Sequence, residues 1–162
     1  MKNNMKNNIE IALELHGIRP DLYESYDVLC LPENFGALEL LDSSETLDFY
    51  KELKSKGISC ANSYDLDLET KTIARRSDDI WIGQIFIIND FIIPAVMTIL
   101  EHFIVNSFSF SNKQISLTGD PTVHIELKLH KNGKISKIKF DGDKKDLLKI
   151  IKALKKNGKI SS

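Results

Sequence analysis

The stretch VHIELKLHKNGKISKIKF, residues 123–140, alternates apolar and polar side chains on both sides of Asn132-Gly133. Alternation with period two is typical of a β-strand with one buried face, and Asn-Gly is well suited to a two-residue hairpin turn. The stretch therefore predicts a β-hairpin with an apolar face and a polar face. Counting outward from the turn places Lys131 opposite Lys134. On the apolar face, the pairs that follow are Leu129 with Ser136, Leu127 with Ile138, and Ile125 with Phe140. On the polar face, they are His130 with Ile135, Lys128 with Lys137, and Glu126 with Lys139.

An amphipathic helix is predicted directly after the hairpin, over KKDLLKIIKALKKNG at residues 144–158. Asp143 can cap its start, and Gly158 is predicted to end it. The C-terminal part of the chain is therefore predicted to be a β-hairpin followed by a helix, a ββα unit. The apolar stripe of this helix consists of Leu147, Ile150, Ile151 and Leu154, and the opposite stripe consists of Lys145, Lys149, Lys152 and Lys156.

Strands and helices alternate in the part of the chain before the hairpin. YDVLCL at residues 26–31 and ISCA at residues 58–61 are short apolar runs typical of buried strands. Between them, ETLDFYKELKSKG at residues 45–57 has the apolar spacing of a helix, and Gly57 is placed for a left-handed helix end. This order predicts an α/β fold, with α+β as the alternative: a small mixed sheet with packed helices and the C-terminal ββα unit.

The most apolar part of the chain is predicted to be a strand at residues 80–88 followed by a helix at residues 91–106. The helix is apolar nearly all round, which indicates burial on several sides of the fold or a face packed on a partner. A membrane span is not expected, because Asn89, Asp90 and Pro94 interrupt the apolar run. An aspartate near the bilayer centre costs about 3 kcal/mol.

Two adjacent arginines lie in the polar segment YDLDLETKTIARRSDD, residues 64–79, which predicts a hairpin or an ordered loop. Arg75 and Arg76 are flanked by acidic residues and by Trp81, the single tryptophan of the chain. Guanidinium groups can hold a phosphate or carboxylate through paired hydrogen bonds. Local ion pairs on a surface loop are the alternative.

Charge is divided unevenly along the 162 residues, although the net charge is only −1. Residues 121–162 contain 12 Lys and 4 Asp or Glu, giving +8, whereas residues 1–120 contain 10 Lys or Arg and 19 Asp or Glu, giving −9. The chain is predicted to consist of a body, residues 1–112, and a basic ββα unit, residues 113–162, packed together as one compact domain. The division indicates a basic tail docked on an acidic body, or a surface for an anionic partner.

Several functional classes find no support in the sequence. The two cysteines, Cys30 and Cys60, are far apart, so neither a disulfide framework nor a zinc site is expected. No nucleophile-elbow, P-loop or dinucleotide-binding motif is present, and no cofactor is expected. The N-terminus is polar, without the apolar segment of a signal peptide, which predicts a cytoplasmic protein.

A metal-dependent nuclease is one alternative, because Asp120, Glu126 and Lys128 follow the order Asp…Glu-x-Lys. Two carboxylates can hold a divalent metal and the lysine can assist the attacking water. Glu126 and Lys128 are predicted to share a strand face, but Asp120 precedes the same strand. The ordinary alternative is a solvated hairpin face on which Glu126 pairs with Lys139.

Clustered lysines suggest a second alternative, a polyanion- or nucleic-acid-binding protein. Their positions predict one lysine-rich face that the hairpin shares with the last helix. This face has no arginine and few aromatic residues, so nucleic acid is not the favoured partner. Its members are Lys128, Lys137, Lys139, Lys145, Lys149, Lys152 and Lys156.

The favoured hypothesis is a non-enzymatic adaptor or protein-interaction module with a protein partner or a second copy of itself. It depends on the apolar helix at residues 91–106 and on the charge division. Small size, a bias toward Asn, Lys and Ile, and missing catalytic motifs also fit an accessory component of a bacterial or phage conflict system.

Overall fold

The structure, a computed structural model, describes residues 8–15, 17–35, 37–73, 79–111, 122–131 and 134–160. Helices and strands alternate through these ranges, as the sequence predicts. In chain order the elements are α1 (Asn8–Leu15), α2 (Pro20–Tyr23), β1 (Val28–Leu31), β2 (Leu40–Ser43), α3 (Ser44–Ser55), β3 (Cys60–Ala61), β4 (Thr70–Ile73), β5 (Ile80–Ile87), a 3-10 turn (Asp90–Ile92), α4 (Ile93–Ser111), β6 (Thr122–Lys131), β7 (Lys134–Asp143) and α5 (Lys144–Ile160).

The main sheet has five strands in the order β3-β1-β5-β6-β7. β1 runs parallel to β3 and β5 runs parallel to β6, while β1–β5 and β6–β7 are antiparallel. The predicted α/β fold with a mixed sheet is therefore confirmed.

The C-terminal hairpin has the predicted register. Every cross-strand pair expected from a turn at Asn132-Gly133 is present, from Lys131 with Lys134 to Ile125 with Phe140. The turn itself lies outside the described residues. The alternation of apolar and polar side chains is therefore sufficient to fix which face of the hairpin is buried.

Helix α5 covers the apolar face of the hairpin, which confirms the ββα unit. Leu147 and Ile151 are fully buried in the cluster that also holds the inward residues of β6. The Asp146 N–H donates to Asp143 Oδ1 at 2.9 Å, so the predicted cap is confirmed. The prediction that Gly158 ends the helix is wrong, since α5 continues to Ile160. Glycine permits a helix end but does not require one, and within a helix it costs only about 1 kcal/mol.

Helix α4 packs in the same apolar cluster as α5. Val96, Met97, Leu100 and Ile104 are completely buried there. The apolar surface of residues 91–106 is therefore largely used inside the protein itself. Two contacts show its neighbours: the Phe103 ring lies 5.4 Å from that of Phe49 in α3, and Lys155 Nζ in α5 lies 3.2 Å from Glu101 Oε2.

No helix among the described residues combines the length and apolarity that crossing a bilayer requires.

A second, smaller apolar cluster lies on the opposite face of the sheet. It packs Leu13 of α1 and Ile18 against Leu29 and Leu31 of β1 and Phe86 of β5. The N-terminal helices therefore contribute to the apolar cluster at one end of this outer face. At the other end, along β5–β7, the outer face carries polar side chains.

The segment at residues 64–79 differs from its prediction. In its described residues, 64–73 and 79, no hairpin forms: β4 pairs in parallel with β2, about 30 residues earlier in the chain. An alternating polar sequence predicts an extended strand but carries no information about a partner that lies far away in sequence. The result is a separate two-stranded sheet.

Both cysteines are buried in strands, as the sequence predicts, and both are free thiols. Burial raises the pKa of Cys60 to about 11 and raises that of Cys30 well above its usual value. Thiolate chemistry is therefore suppressed at both positions.

A β-bulge interrupts β5 at Gly83. Trp81 is level with His124 of β6, but the next pair is Gln84 with Glu126, so β5 has one extra residue. The Gly83 N–H donates to Thr46 Oγ1 at 2.9 Å. A Cβ at Gly83 would collide with the Leu31 carbonyl oxygen and lie 3.2 Å from Thr46 Oγ1. Only glycine therefore fits between these backbones.

We predict that Gly83→Ala lowers the free energy of unfolding by about 3 kcal/mol, because backbone atoms of β1 cannot move aside as a side chain can. Denaturant unfolding measures the change. Gly142→Ala in β7 is the matched control, since its added Cβ would meet only the tip of the Phe140 ring. Equal losses for the two variants would contradict the close approach at Gly83.

Candidate functional site

Glu126 and Lys139 of the hairpin line a pocket on the outer face of β5–β7, which we call the outer pocket. Its volume is about 360 Å³. The turn after β1 forms one wall and β5, β6 and β7 form the floor. The side chains that give it chemical character are Glu33, Trp81, Gln84, His124, Glu126, Lys139 and Asp141.

An aromatic stack lies at one end of the outer pocket. The Trp81 indole and the His124 imidazole are 3.7 Å apart between ring centroids, with an angle of 14° between their planes. His124 is level with Trp81 because β5 and β6 pair in parallel register. The stack is therefore a direct product of that strand pairing.

Carboxylates hold both ring nitrogens of His124. Nδ1 lies 2.6 Å from Asp141 Oδ1, and Nε2 lies 3.3 Å from Asp79 Oδ2. Asp79 Oδ1 also accepts a hydrogen bond from the Thr122 N–H at 3.1 Å. Both ring contacts are hydrogen bonds at once only in the imidazolium form. In this arrangement His124 has no ring nitrogen left for proton transfer with a substrate.

A largely buried ion pair occupies the middle of the outer face. The side chains of Glu126 and Lys128 are only 13% and 14% exposed, and Lys128 Nζ lies 3.5 Å from Glu126 Oε2. Lys128 Nζ donates to Gln84 Oε1 at 2.8 Å, and Lys137 Nζ lies 3.1 Å from Glu126 Oε1. Burial lowers the pKa of Lys128, an effect that the nearby Glu126 opposes. The Lys128 ammonium is therefore held by one hydrogen bond to Gln84 and by the charge of Glu126.

The ion pair expected between Glu126 and Lys139 is replaced by two others. The two residues are opposite in register, as predicted, but Glu126 makes its ion pairs with Lys128 on the same strand and Lys137 on the diagonal. Long side chains on a sheet reach neighbours two positions away as readily as the residue directly opposite.

One feature of the nuclease alternative is present among the described residues. Glu126 and Lys128 share a face, as predicted. Asp120 lies outside the described residues, as do Arg75 and Arg76. In the described ranges no three His, Cys, Asp or Glu side chains come together in a way that could hold a metal ion.

The single lysine-rich face expected from the sequence is divided between two sides of the sheet. Helix α5 packs its apolar stripe on the inner face of the hairpin, so its lysines point away from the sheet on that side. The hairpin lysines point to the opposite side, because side chains alternate along a strand. The outer set is Lys128, Lys137 and Lys139, and the helix set is Lys145, Lys149, Lys152 and Lys156.

The sequence patterns do not predict that four further residues lie beside His124 and Glu126. These residues are Asp79, Trp81, Gln84 and Asp141. The hairpin register does place Asp141 opposite His124. The parallel pairing of β5 with β6 joins segments about 40 residues apart, and the bulge at Gly83 turns Gln84 to the outer face. The parallel pairing has no local sequence signal, whereas a glycine inside a strand, here Gly83, is a local indication of a bulge.

No protein-family model, no curated protein and no solved structure matches this chain.

We predict that Lys128→Met lowers the free energy of unfolding by about 3 kcal/mol, because it leaves Glu126 buried with one ion-pair partner fewer. Lys149→Met on the exposed face of α5 is the control and is expected to change stability by less than about 0.5 kcal/mol. Adding Glu126→Gln to Lys128→Met should restore part of the loss. Equal stabilities of the two single lysine variants would contradict the buried ion pair.

Proposed function

We propose that the chain is a non-enzymatic protein-interaction module that binds a basic segment of its partner in the outer pocket. The observation that carries this proposal is the composition of the pocket. Glu33, Glu126 and Asp141 contribute three carboxylates beside the Trp81 indole, whereas Lys139 and His124 are the basic groups in the described lining.

This composition favours a cationic ligand. Glu126 and Asp141 already have partners within the chain, but a carboxylate offers about four lone-pair sites and can accept a further donor. A guanidinium or ammonium group is attracted both by carboxylates and by the face of an aromatic ring, tryptophan above all. A pocket of about 360 Å³ accepts one long side chain. An arginine or lysine side chain projecting from a partner therefore fits the pocket in charge and in size.

A fully exposed leucine lies close in sequence to the wall of the outer pocket. Leu38 lies on the loop that follows Asn34, one of the pocket residues. Asn34 holds this loop by donating to the Glu39 carbonyl at 2.6 Å and accepting from the Leu41 N–H at 2.7 Å. An apolar side chain on an ordered loop beside a charged pocket offers the mixed contacts that protein interfaces use.

The groups that would perform catalysis are already engaged. Asp79 and Asp141 hold the two ring nitrogens of His124. Lys128 donates a hydrogen bond to Gln84 Oε1 and forms an ion pair with Glu126. A general base or nucleophile needs a free lone pair directed at the substrate. Binding is therefore better supported than catalysis.

Polyanion binding is less well supported than binding of a basic segment. Of the lysines on the outer face, Lys128 and Lys137 are paired with Glu126. Phosphate binding depends on several cations acting on the same surface, and the α5 lysines face the other side. A cytoplasmic accessory role in a bacterial or phage conflict system remains a proposal that rests on composition and size.

The single tryptophan allows a direct test, because Trp81 lines the outer pocket. We predict that a short blocked peptide centred on arginine changes the Trp81 fluorescence saturably, while the same peptide centred on glutamate does not. Glu126→Gln should weaken this binding at least tenfold. Asp48→Asn on the exposed side of α3 is the matched control and should bind as the unchanged chain does. Saturable binding of the glutamate peptide instead would contradict the proposal.

A second assay addresses the nuclease alternative. We predict that DNA and RNA incubated with the purified chain and Mg²⁺ or Mn²⁺ remain intact on a gel, because no metal cluster surrounds Glu126 in the described residues. Metal-dependent cleavage that disappears in Glu126→Ala would show that the chain is an enzyme.

A further inference from the structure

Strand β7 forms one edge of the main sheet and is ten residues long. It pairs with β6 on one side, and on its other side no strand of the described ranges pairs with it. A long edge strand offers a row of backbone N–H and C=O groups to a further strand. The edge of β7 is therefore a candidate surface for strand pairing with another chain.

The contacts of β6 identify which residues of β7 direct their backbone groups to this edge. Thr122 is opposite Asp143, and the Thr122 N–H donates to Asp79 Oδ1 on the β5 side of β6. Thr122 and Asp143 therefore do not exchange backbone hydrogen bonds. Such pairs alternate with hydrogen-bonded pairs along an antiparallel ladder, so every second residue of β7 points to the free edge. These residues include Lys137, Lys139, Asp141 and Asp143.

The charges of these four residues complement themselves. Their side chains share the outer face of the sheet, and all four are exposed. The two lysines come first and the two aspartates follow. Lysines on an edge strand usually oppose pairing with a copy, because they meet one another. In β7 an antiparallel copy instead brings the basic half of each strand to the acidic half of the other.

We propose that two copies of this chain form a two-fold symmetric dimer in which their β7 strands pair antiparallel about Phe140. Outward residues must pair with outward residues to form backbone hydrogen bonds, so the two-fold axis must pass through a residue position. An axis at Phe140 sets Lys139 opposite Asp141 of the second copy and Lys137 opposite Asp143 of the second copy. Each of these opposite-charge pairs occurs twice, once on each side of the axis.

Neighbouring positions of the axis are less favourable. An axis at Lys139 sets Lys139 opposite itself, and an axis at Asp141 sets Asp141 opposite itself. An axis at Ile138 sets Lys137 opposite Lys139. Like charges directly opposite each other destabilise a strand pair, whereas opposite charges stabilise it. Of these four positions, Phe140 alone joins opposite charges without setting like charges against each other.

The inner side of the same edge carries apolar surface that a second copy would cover. Phe140 is half-buried and would meet its counterpart at the axis. Helix α5 contacts α4 on one flank, where Lys155 meets Glu101. At 3.6 residues per turn, Ile150 lies about 140° around α5 from Lys155. Ile150 is therefore on the flank away from α4, beside the β7 edge, where it is only half-buried.

Sedimentation equilibrium over the micromolar range tests the proposal. The unchanged chain should show a monomer–dimer equilibrium and no larger species, because a two-fold contact uses the β7 edge of both copies. Lys139→Asp and Asp141→Lys each set like charges opposite each other and should weaken the dimer at least tenfold. Lys149→Asp on α5 and Asp48→Lys on α3 make the same charge changes at exposed positions away from the edge and should dimerise as the unchanged chain does.

Mixing the two edge variants separates pairing from structural damage. In an equimolar mixture of Lys139→Asp and Asp141→Lys, each substituted side chain faces the opposite charge on the other variant, so a heterodimer of nearly unchanged affinity should form. The lost contact of Asp141 with His124 would not be repaired by mixing. Should Asp141→Lys fail to fold, Lys139→Pro is the second variant. It removes an N–H that points to the free edge, keeps the ladder with β6, and should weaken the dimer at least tenfold.

Glu126→Gln should dimerise as the unchanged chain does although it loses arginine-peptide binding, so this proposal and the proposed function fail separately. Three results would overturn the dimer. The first is an unchanged chain that stays monomeric at several hundred micromolar, which would leave the edge to a strand of another protein. The second is association that continues beyond two copies. The third is a pair of folded edge variants that stay monomeric when mixed.

Discussion

The parallel hydrogen bonding between β5 and β6 is the contact on which the rest of the structure depends. It joins residues 80–87 to the C-terminal hairpin and so completes a five-stranded sheet. On the inner face it places the apolar residues of both strands under α3, α4 and α5, where they form one core cluster. On the outer face the same register sets His124 against Trp81 and Glu126 beside Gln84. Core and candidate site are therefore two consequences of one strand pairing.

The bulge at Gly83 determines which side chains of β5 point into the core and which point to the outer face. Side chains alternate along a strand, so one extra residue reverses the direction of all that follow. Ile80 and Ile82 point into the main core before the bulge and Ile85 and Ile87 after it, a spacing that regular alternation alone would not produce. The bulge is held by the contact of the Gly83 N–H with Thr46, and the Ser43 hydroxyl hydrogen-bonds both Thr46 and the Trp81 carbonyl. The start of α3 thus fixes the geometry of the outer pocket from the opposite side of β5.

Two charged groups on the outer face of the sheet are held by partners within the chain. In the outer pocket, the imidazole of His124 and the ammonium of Lys128 have partners within the chain, so the pocket is preformed and its charges are fixed in place. Charged groups that the chain holds in place suit recognition of a partner's side chain.

The sequence by itself determined the hairpin register, the amphipathic character of α5, the cap at Asp143, the buried strands and the α/β class, because each follows from side-chain periodicity or from turn and cap chemistry within a few residues. It could not determine the strand order, the parallel pairing of β2 with β4, or the division of the lysines between two surfaces. It also could not place Trp81 and Gln84 beside the hairpin. These features depend on contacts between segments far apart in the chain. Periodicity states which face of an element is apolar, but the element against which that face packs, and hence the side on which its polar residues emerge, is decided only when the whole core is assembled.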